Sequence, residues 1–166
     1  FLEQRGVEAS SLVLAPIEDW MQFGSIRFTS FPSAHYELDR DEESGNYPYL
    51  GFVLEVDGKI LYHSGDTILY EGMLDRLKTI SNHYDVCCLP VNGRDPQREA
   101  LGIIGNLQPE EALWLADQLN SNVLIPTHND LFEINHLDPS RLEDHKMSHF
   151  PHQIVKWMKP GEILSL

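Results

Sequence analysis

Short runs rich in apolar residues, broken by turn residues, mark the first half of this chain. Trp20–Phe23 and Ser25–Ser30, joined at Gly24, read as strands, and Leu12–Ala15 reads as a shorter one before them. Gly51–Val56 and Lys59–Tyr62 flank Asp57-Gly58, a dipeptide suited to a two-residue hairpin turn. Val86–Val91 is a continuous apolar run and reads as a buried strand. Asn122–Ile125 is the next strand, and Gln153–Met158 and Glu162–Leu166 read as two more around Pro160-Gly161. Helical spacing appears at Met73, Leu74 and Leu77, and across Pro139–Phe150. It appears again at Ala112, Leu115, Ala116 and Leu119, behind Pro109 at the first helical position with Glu110 and Glu111 in the first turn. Ser33–Asn46 and Asn92–Leu107 read as loops, and loops as long as the second are often functional. Strands and helices alternate, but hairpins occur too, so the expected class is α/β with a mixed sheet and flanking helices.

Three short segments carry the candidate chemistry. Pro-Ser-Ala-His35 follows Ser25–Ser30, His-Ser-Gly-Asp66-Thr follows Lys59–Tyr62, and Pro-Thr-His128-Asn-Asp follows Asn122–Ile125. A side chain just past a strand end sits at the rim of the sheet, where open α/β folds place their ligands. Two imidazoles and a carboxylate converging there suit zinc, manganese or iron. Taken singly, each has an ordinary reading: His35 as a loop residue, Asp66 as a turn former or helix cap, His128 as a packing residue. If Thr67 takes the capping role, Asp66 is freed, and its two oxygens can bridge two ions about 4 Å apart.

The ordered trio resembles the later half of the metallo-β-lactamase superfamily, whose later ligands are a His after a strand, an Asp in a Ser-Gly-Asp-Thr-like turn and a final His after another strand. Leu61-Tyr-His-Ser-Gly-Asp66 and Val123-Leu-Ile-Pro-Thr-His128-Asn-Asp130-Leu-Phe, with Asp138-Pro139 soon after, resemble the L-ascorbate-6-phosphate lactonase group within it. The resemblance runs from about Val13 onward. It implies the αββα sandwich fold, with residues 1–166 forming the C-terminal part of a single domain. It also implies His35, Asp66 and His128 as ligands of zinc or manganese, two ions in the full-length protein, and Asp66 and His128 in catalysis. The implied reaction is hydrolysis of a small-molecule ester or lactone by a metal-activated hydroxide, with a phosphorylated sugar lactone as the narrower substrate class. The loop around His35 departs from the lactonase pattern, which favours the broader hydrolase assignment. The superfamily's first ligand motif, His-x-His-x-Asp-His, does not occur in the chain, so the chain alone is expected to be inactive. Phe1–Val7 reads as a last helical turn with a Gly stop, which suggests that the first half of the fold lies upstream.

Composition narrows the partners. A formal net charge of −14 opposes nucleic-acid binding. No apolar run is long enough for a membrane span, and no signal-peptide pattern opens the chain. Cys87 and Cys88 are neighbours on a strand and face opposite ways, so they suit buried free thiols in a cytoplasmic setting. A small-molecule substrate remains as the expected partner, and a homo-oligomer stays open. In the Asn92-Gly93-Arg94 segment, Arg94 can grip a phosphate bidentately or sit in a surface salt bridge. Asn92 shares that loop. Asn129 and Asp130 either contact substrate or cap the segment at Leu131-Phe132. His63 either orients a ligand or packs. Tyr47, Tyr49 and Tyr70 read as packing residues before sugar platforms. His83, His136, His145, His149 and His152 lack a strand-end context, and the His145/His149 pair reads as a solvated helix face. The rival to the hydrolase is a non-catalytic, metal-binding half-domain that needs a partner chain, because half of a two-layer fold exposes an apolar sheet face.

Overall fold

In the computed structural model, which describes residues 2–130 and 132–166, the apolar-rich runs pair into one sheet. Its strands are β1 (Met21–Phe23), β2 (Ile26–Pro32), β3 (Leu50–Val56), β4 (Lys59–His63), β5 (Tyr84–Pro90), β6 (Ser121–Thr127) and β7 (Ile154–Val155). They lie side by side in chain order across seven positions. Neighbours from β1 to β4 are antiparallel, and neighbours from β4 to β7 are parallel. Connection length explains the change. Asp57 and Gly58, both at positive φ, turn the chain tightly between β3 and β4. Each later step carries a helix, as a parallel crossover requires. α1 (Met73–Ile80) joins β4 to β5, α2 (Pro96–Ala100) and α3 (Pro109–Gln118) join β5 to β6, and α4 (Pro139–His149) joins β6 to β7.

The register sorts the side chains into two faces. Val53, Tyr62, Cys87, Leu124 and Val155 are successive cross-strand partners and share one face. That face forms a single buried cluster with Met73 and Leu77 of α1, Ala112, Leu113, Leu115 and Ala116 of α3, and Leu142 of α4. Each fully buried Leu or Met contributes roughly 1.5–3 kcal/mol, so this layer holds the helices to the sheet. The other face carries Phe28, Leu54, Leu61, Val86, Val123 and Ile154 in one row, and Phe52, His63, Cys88 and Ile125 in the next. It is apolar and open at its two edges, where Phe23 is 75% exposed and Ile154 59%, whereas Val86 and Cys88 at its centre are buried.

Several elements differ from the pattern reading. Leu12–Ala15 forms no strand; the chain there meets the sheet only through the single bridge of Ile17 to Ser30. Pro16 accepts from Ser30 through its carbonyl but has no N–H with which to extend a ladder. Gln153–Met158 shortens to β7, and Glu162–Leu166 is not a strand. Its start is a turn in which Glu162 N–H donates to Lys159 O, and Ile163 remains 87% exposed. Inside the expected loop 92–107, Asp95 caps α2 by accepting from the Gln97 and Arg98 N–H groups, with Pro96 at the first helical position. At the start of the chain Phe1 lies outside the described residues, and Glu3–Arg5 is one 3-10 turn closed by Gly6 N–H on Glu3 O. Among the described residues no helix is long and apolar enough to cross a membrane.

Candidate functional site

Strand direction decides which residues meet. β2 and β4 are both antiparallel to β3, so they run the same way, and β5 and β6 run parallel to β4. The C-terminal ends of β2, β4, β5 and β6 therefore share one rim, together with the start of β3. His35, Asp66, Asn92 and His128 all follow those ends, and Tyr49 precedes β3.

The rim segments are stitched by their backbones. Ser33 Oγ donates to Ser64 O, Ala34 N–H donates to Thr67 Oγ1 at 3.1 Å, and Ile68 N–H donates to Ala34 O at 2.8 Å. Thr67 is fully buried and holds the His35 segment, so it does not cap α1, whose N-cap is Gly72. β3 passes the Ser-Gly-Asp turn so closely that a Cβ on Gly51 would lie 2.7 Å from the carbonyl oxygens of His63 and Ser64. Gly65 has a φ of +64°, and a Cβ there would lie 2.9 Å from Leu50 O. Val91 N–H donates to Thr127 O and Leu107 N–H to Thr67 O, which ties the 92–107 loop to both neighbouring strand ends.

Asp66 and His128 meet. His128 Nε2 lies 3.2 Å from Asp66 Oδ2, with the side chains 21% and 44% exposed. His128 has a φ of +58°, a left-handed backbone that costs a residue with a Cβ roughly 1–2 kcal/mol. Such outliers cluster at functional sites. Its Nδ1 is buried without a hydrogen-bond partner, and so is Nδ1 of His35. His35 is placed differently from the expected three-way convergence. Its ring stands edge-on to Tyr49, with centroids 4.7 Å apart, in a cavity of about 250 Å³ shared with Tyr36, Glu37, Asp39 and Ile104. Among the described residues no three His, Cys, Asp or Glu side chains form a group able to hold a metal ion. The physical reason is local: the His35 backbone is anchored beside Thr67, while its ring packs on Tyr49.

The remaining candidates divide. Arg94 is not a free anion anchor. Its Nη1 and Nη2 donate to both oxygens of Glu111 at 2.7 and 2.8 Å, and Nη1 also donates to Asn106 O. The Glu111 carboxylate holds the guanidinium pKa above its usual value, with burial working against it. Asn92 is buried. Its Oδ1 accepts from Asn106 Nδ2 at 3.0 Å and its carbonyl accepts from Arg98, while its Nδ2 and Asn106 Oδ1 are buried without partners. Among the described residues the Asn129 and Asp130 side chains make no hydrogen bond; Leu131, in the segment they were expected to cap, lies outside those residues. His63 Nδ1 accepts Gly65 N–H at 3.0 Å. Tyr49 is 43% exposed beside His35, whereas Tyr70 donates to Pro32 O and stacks on Phe31, and Tyr47 lies under Arg40 and Arg76. His145 and His149 stack on α4 with centroids 4.3 Å apart.

Thr67 as a stitch, Asn106 and the Gln108–Glu111 pair carry parts of the rim that periodicity does not mark. The last had a local signal, since a Gln followed three residues later by a Glu at a helix start approximates a capping box. Gln108 N–H donates to Glu111 Oε2 at 2.8 Å.

A family profile described as the β-lactamase superfamily domain matches residues 2–129. The chain belongs to this superfamily. It is similar to a UPF0173 metal-dependent hydrolase of Desulfitobacterium hafniense, 30% identical over 148 residues that cover 86% of this chain and 56% of that protein. A UPF0173 metal-dependent hydrolase of Methanoculleus marisnigri is 32% identical over 136 residues, covering 80% of this chain and 53% of the relative. The chain thus spans about half the length of the curated relatives it matches. Among solved structures, the metallo hydrolase Igni18 of Ignicoccus hospitalis aligns with a TM-score of 0.69 at 23% identity, covering 97% of this chain and 62% of that one. The metallo-β-lactamase fold protein YhfI of Bacillus subtilis aligns with a TM-score of 0.62 at 13% identity, covering 92% and 56%. At those identities the likeness concerns the fold: the mixed seven-stranded sheet is that of the metallo-β-lactamase fold.

Proposed function

We propose that this chain contributes to the site of a metal-dependent hydrolase, with Asp66 and His128 as ligands of a divalent ion, zinc or manganese, and His35 as a third ligand once its ring leaves Tyr49. The observation that carries this reading is the 3.2 Å approach of His128 to Asp66 at the rim. The donor chemistry fits: imidazole nitrogens and a carboxylate suit these ions, and buried imidazole nitrogens without partners are costly unless a ligand engages them. The UPF0173 relatives carry the words metal-dependent hydrolase in their names, which supports the same reaction class. A divalent ion held there supplies Lewis acidity toward a carbonyl or phosphoryl oxygen.

The chain's own residues do the rest. The Thr67 and Ser33 stitches hold the ligand-bearing segments in place. Asn92, Asn129 and Asp130 are the proposed substrate contacts, since each carries polar capacity that the fold leaves unused. The finer substrate class is a small-molecule ester or lactone, supported by the lactonase-like wording around Asp66 and His128. Arg94 drops out as its phosphate anchor because Glu111 occupies its guanidinium. One observation favours a second reading, a metal-binding half-domain that needs a partner chain: the open apolar face around Phe23 and Ile154.

Asp66→Ala in the full-length protein separates these readings. Loss of lactone or ester hydrolysis with an unchanged melting temperature is expected, because the carboxylate is 44% exposed and contributes little packing. Retained turnover with normal metal content would reject Asp66 as a ligand. A metal-loaded wild type inactive on lactone, ester and phosphodiester alike would leave the half-domain reading standing.

A further inference from the structure

The turn that presents Asp66 is held from several sides. Ser64 N–H donates to Cys88 O, Ser64 O accepts from Ser33, and Ser64 Oγ donates to Gly65 O at 2.7 Å. The next link is Gly65, two residues past the end of β4, with a φ of +64°. Its N–H donates to Nδ1 of His63, the last residue of β4, at 3.0 Å. An exposed histidine at a strand end is ordinarily a solvated residue. Here its ring is tied two residues down its own chain, into the turn before Asp66. Accepting at Nδ1 places the proton of the neutral ring on Nε2.

We propose that His63 is a positioning residue: its ring fixes the Gly65 amide, and through it the direction in which Asp66 leaves the turn, so that the carboxylate is aimed before an ion arrives. This rests on the reading of Asp66 as a metal ligand. Groups that orient a ligand from one step back typically change metal affinity by about 10- to 100-fold when removed. His63 acts through a backbone amide and not on the carboxylate itself, so the low end, about tenfold, is expected.

Three substitutions test it. His63→Asn places its side-chain oxygen close to where Nδ1 lies and can still accept from Gly65. His63→Gln carries its oxygen one carbon further, and His63→Ala carries none. Gly65 amide hydrogen exchange, followed by NMR in metal-free protein, and zinc affinity, measured by chelator competition, are the readouts. The expected result is faster Gly65 exchange and about tenfold weaker zinc binding in His63→Ala and His63→Gln, with both restored in His63→Asn. Unchanged Gly65 exchange in His63→Ala overturns the lock itself. Altered exchange with equal zinc affinity across all variants overturns its role in aiming Asp66. If the wild type takes up neither zinc nor manganese, the metal reading fails, and the exchange data distinguish that outcome because they need no metal.

Discussion

Removing Arg94 should weaken the fold, not the grip on a substrate anion. The guanidinium reaches both oxygens of Glu111 and the carbonyl of Asn106, and the two side chains are only 31% and 23% exposed. Glu111 in turn accepts Gln108 N–H at the first turn of α3, so the pair joins the 92–107 loop to that helix. Hydrogen bonds to charged groups contribute about 1.5–3 kcal/mol, and fully exposed ion pairs about 0.2–1 kcal/mol. A largely covered bidentate pair falls at the low end of the first range, so Arg94→Ala is expected to cost about 1.5–2 kcal/mol. At this chain length that lowers the melting temperature by roughly 3–8 °C. Urea denaturation of the wild type, Arg94→Ala, Glu111→Gln and the double variant should give a coupling of about 1 kcal/mol. An Arg94→Ala variant within about 0.3 kcal/mol of wild type, or additive single effects, would refute the strut.

The pH dependence supplies an independent check. Burial pushes the Glu111 carboxyl up, but the Arg94 hydrogen bonds and charge and the Gln108 N–H outweigh it, and its pKa falls below the ordinary 4.5. A carboxyl lowered in the folded state stabilises fully above its unfolded value and loses that contribution as pH falls through the folded one. The stability gap between wild type and Arg94→Ala should therefore be steady near neutrality and shrink below about pH 4.5. If the full-length protein hydrolyses the proposed substrates, Arg94→Ala should affect phosphorylated and phosphate-free ones equally; a selective rise in KM for the phosphorylated one would restore the anion-anchor role.

His128→Gly should abolish metal binding while leaving unfolding stability unchanged or raised by up to about 1 kcal/mol, because glycine relieves the left-handed backbone; calorimetry with a zinc titration reads both, and a marked loss of stability would mean that the imidazole packs as a core residue. Gly51→Ala should cost about 1–3 kcal/mol in chemical denaturation, since its Cβ would meet two carbonyl oxygens at 2.7 Å; a neutral effect would mean that β3 can shift away from the Ser-Gly-Asp turn. Burial pushes the Cys87 thiol up to about 12 and the Cys88 thiol up to about 11. Both should therefore resist iodoacetamide at pH 8 in the native protein and react only in denaturant, as peptide mass spectrometry would show.

The legible parts of the fold rest on short-range chemistry. Asp57-Gly58 announces its own turn, the α3 stripe from Ala112 to Leu119 announces its buried side, and each strand end before His35, Asp66 and His128 is marked by an apolar run that stops. Misread segments depend on what lies across space. Leu12–Ala15 has strand composition, but Pro16 interrupts its ladder. Arg94 has the form of an anion anchor, but its partner lies 17 residues away. Nothing in periodicity shows that the His35 ring turns onto Tyr49, or that Asn106 folds back onto Asn92. The Asp95-Pro96 cap of α2 was local and readable, yet the glycines around it suggested a loop.

Several local rules fail at the rim. His128 takes a backbone that most side chains avoid, Gly51 and Gly65 sit where a Cβ would clash, and two imidazole nitrogens and one amide nitrogen are buried without partners. The helix-covered face carries paired strands and apolar side chains instead, with the Tyr62 hydroxyl as its orphan. The His128 imidazole faces Asp66 across 3.2 Å, and the left-handed backbone that carries it is not repaid by a hydrogen bond at its buried Nδ1. The stitches through Thr67, Ser33 and His63 act on backbone, not on the carboxylate or the imidazole. The Asp66 and His128 side chains can therefore be changed without unravelling the strand ends that carry them, whereas loss of a stitch should leave the two side chains present but poorly aimed.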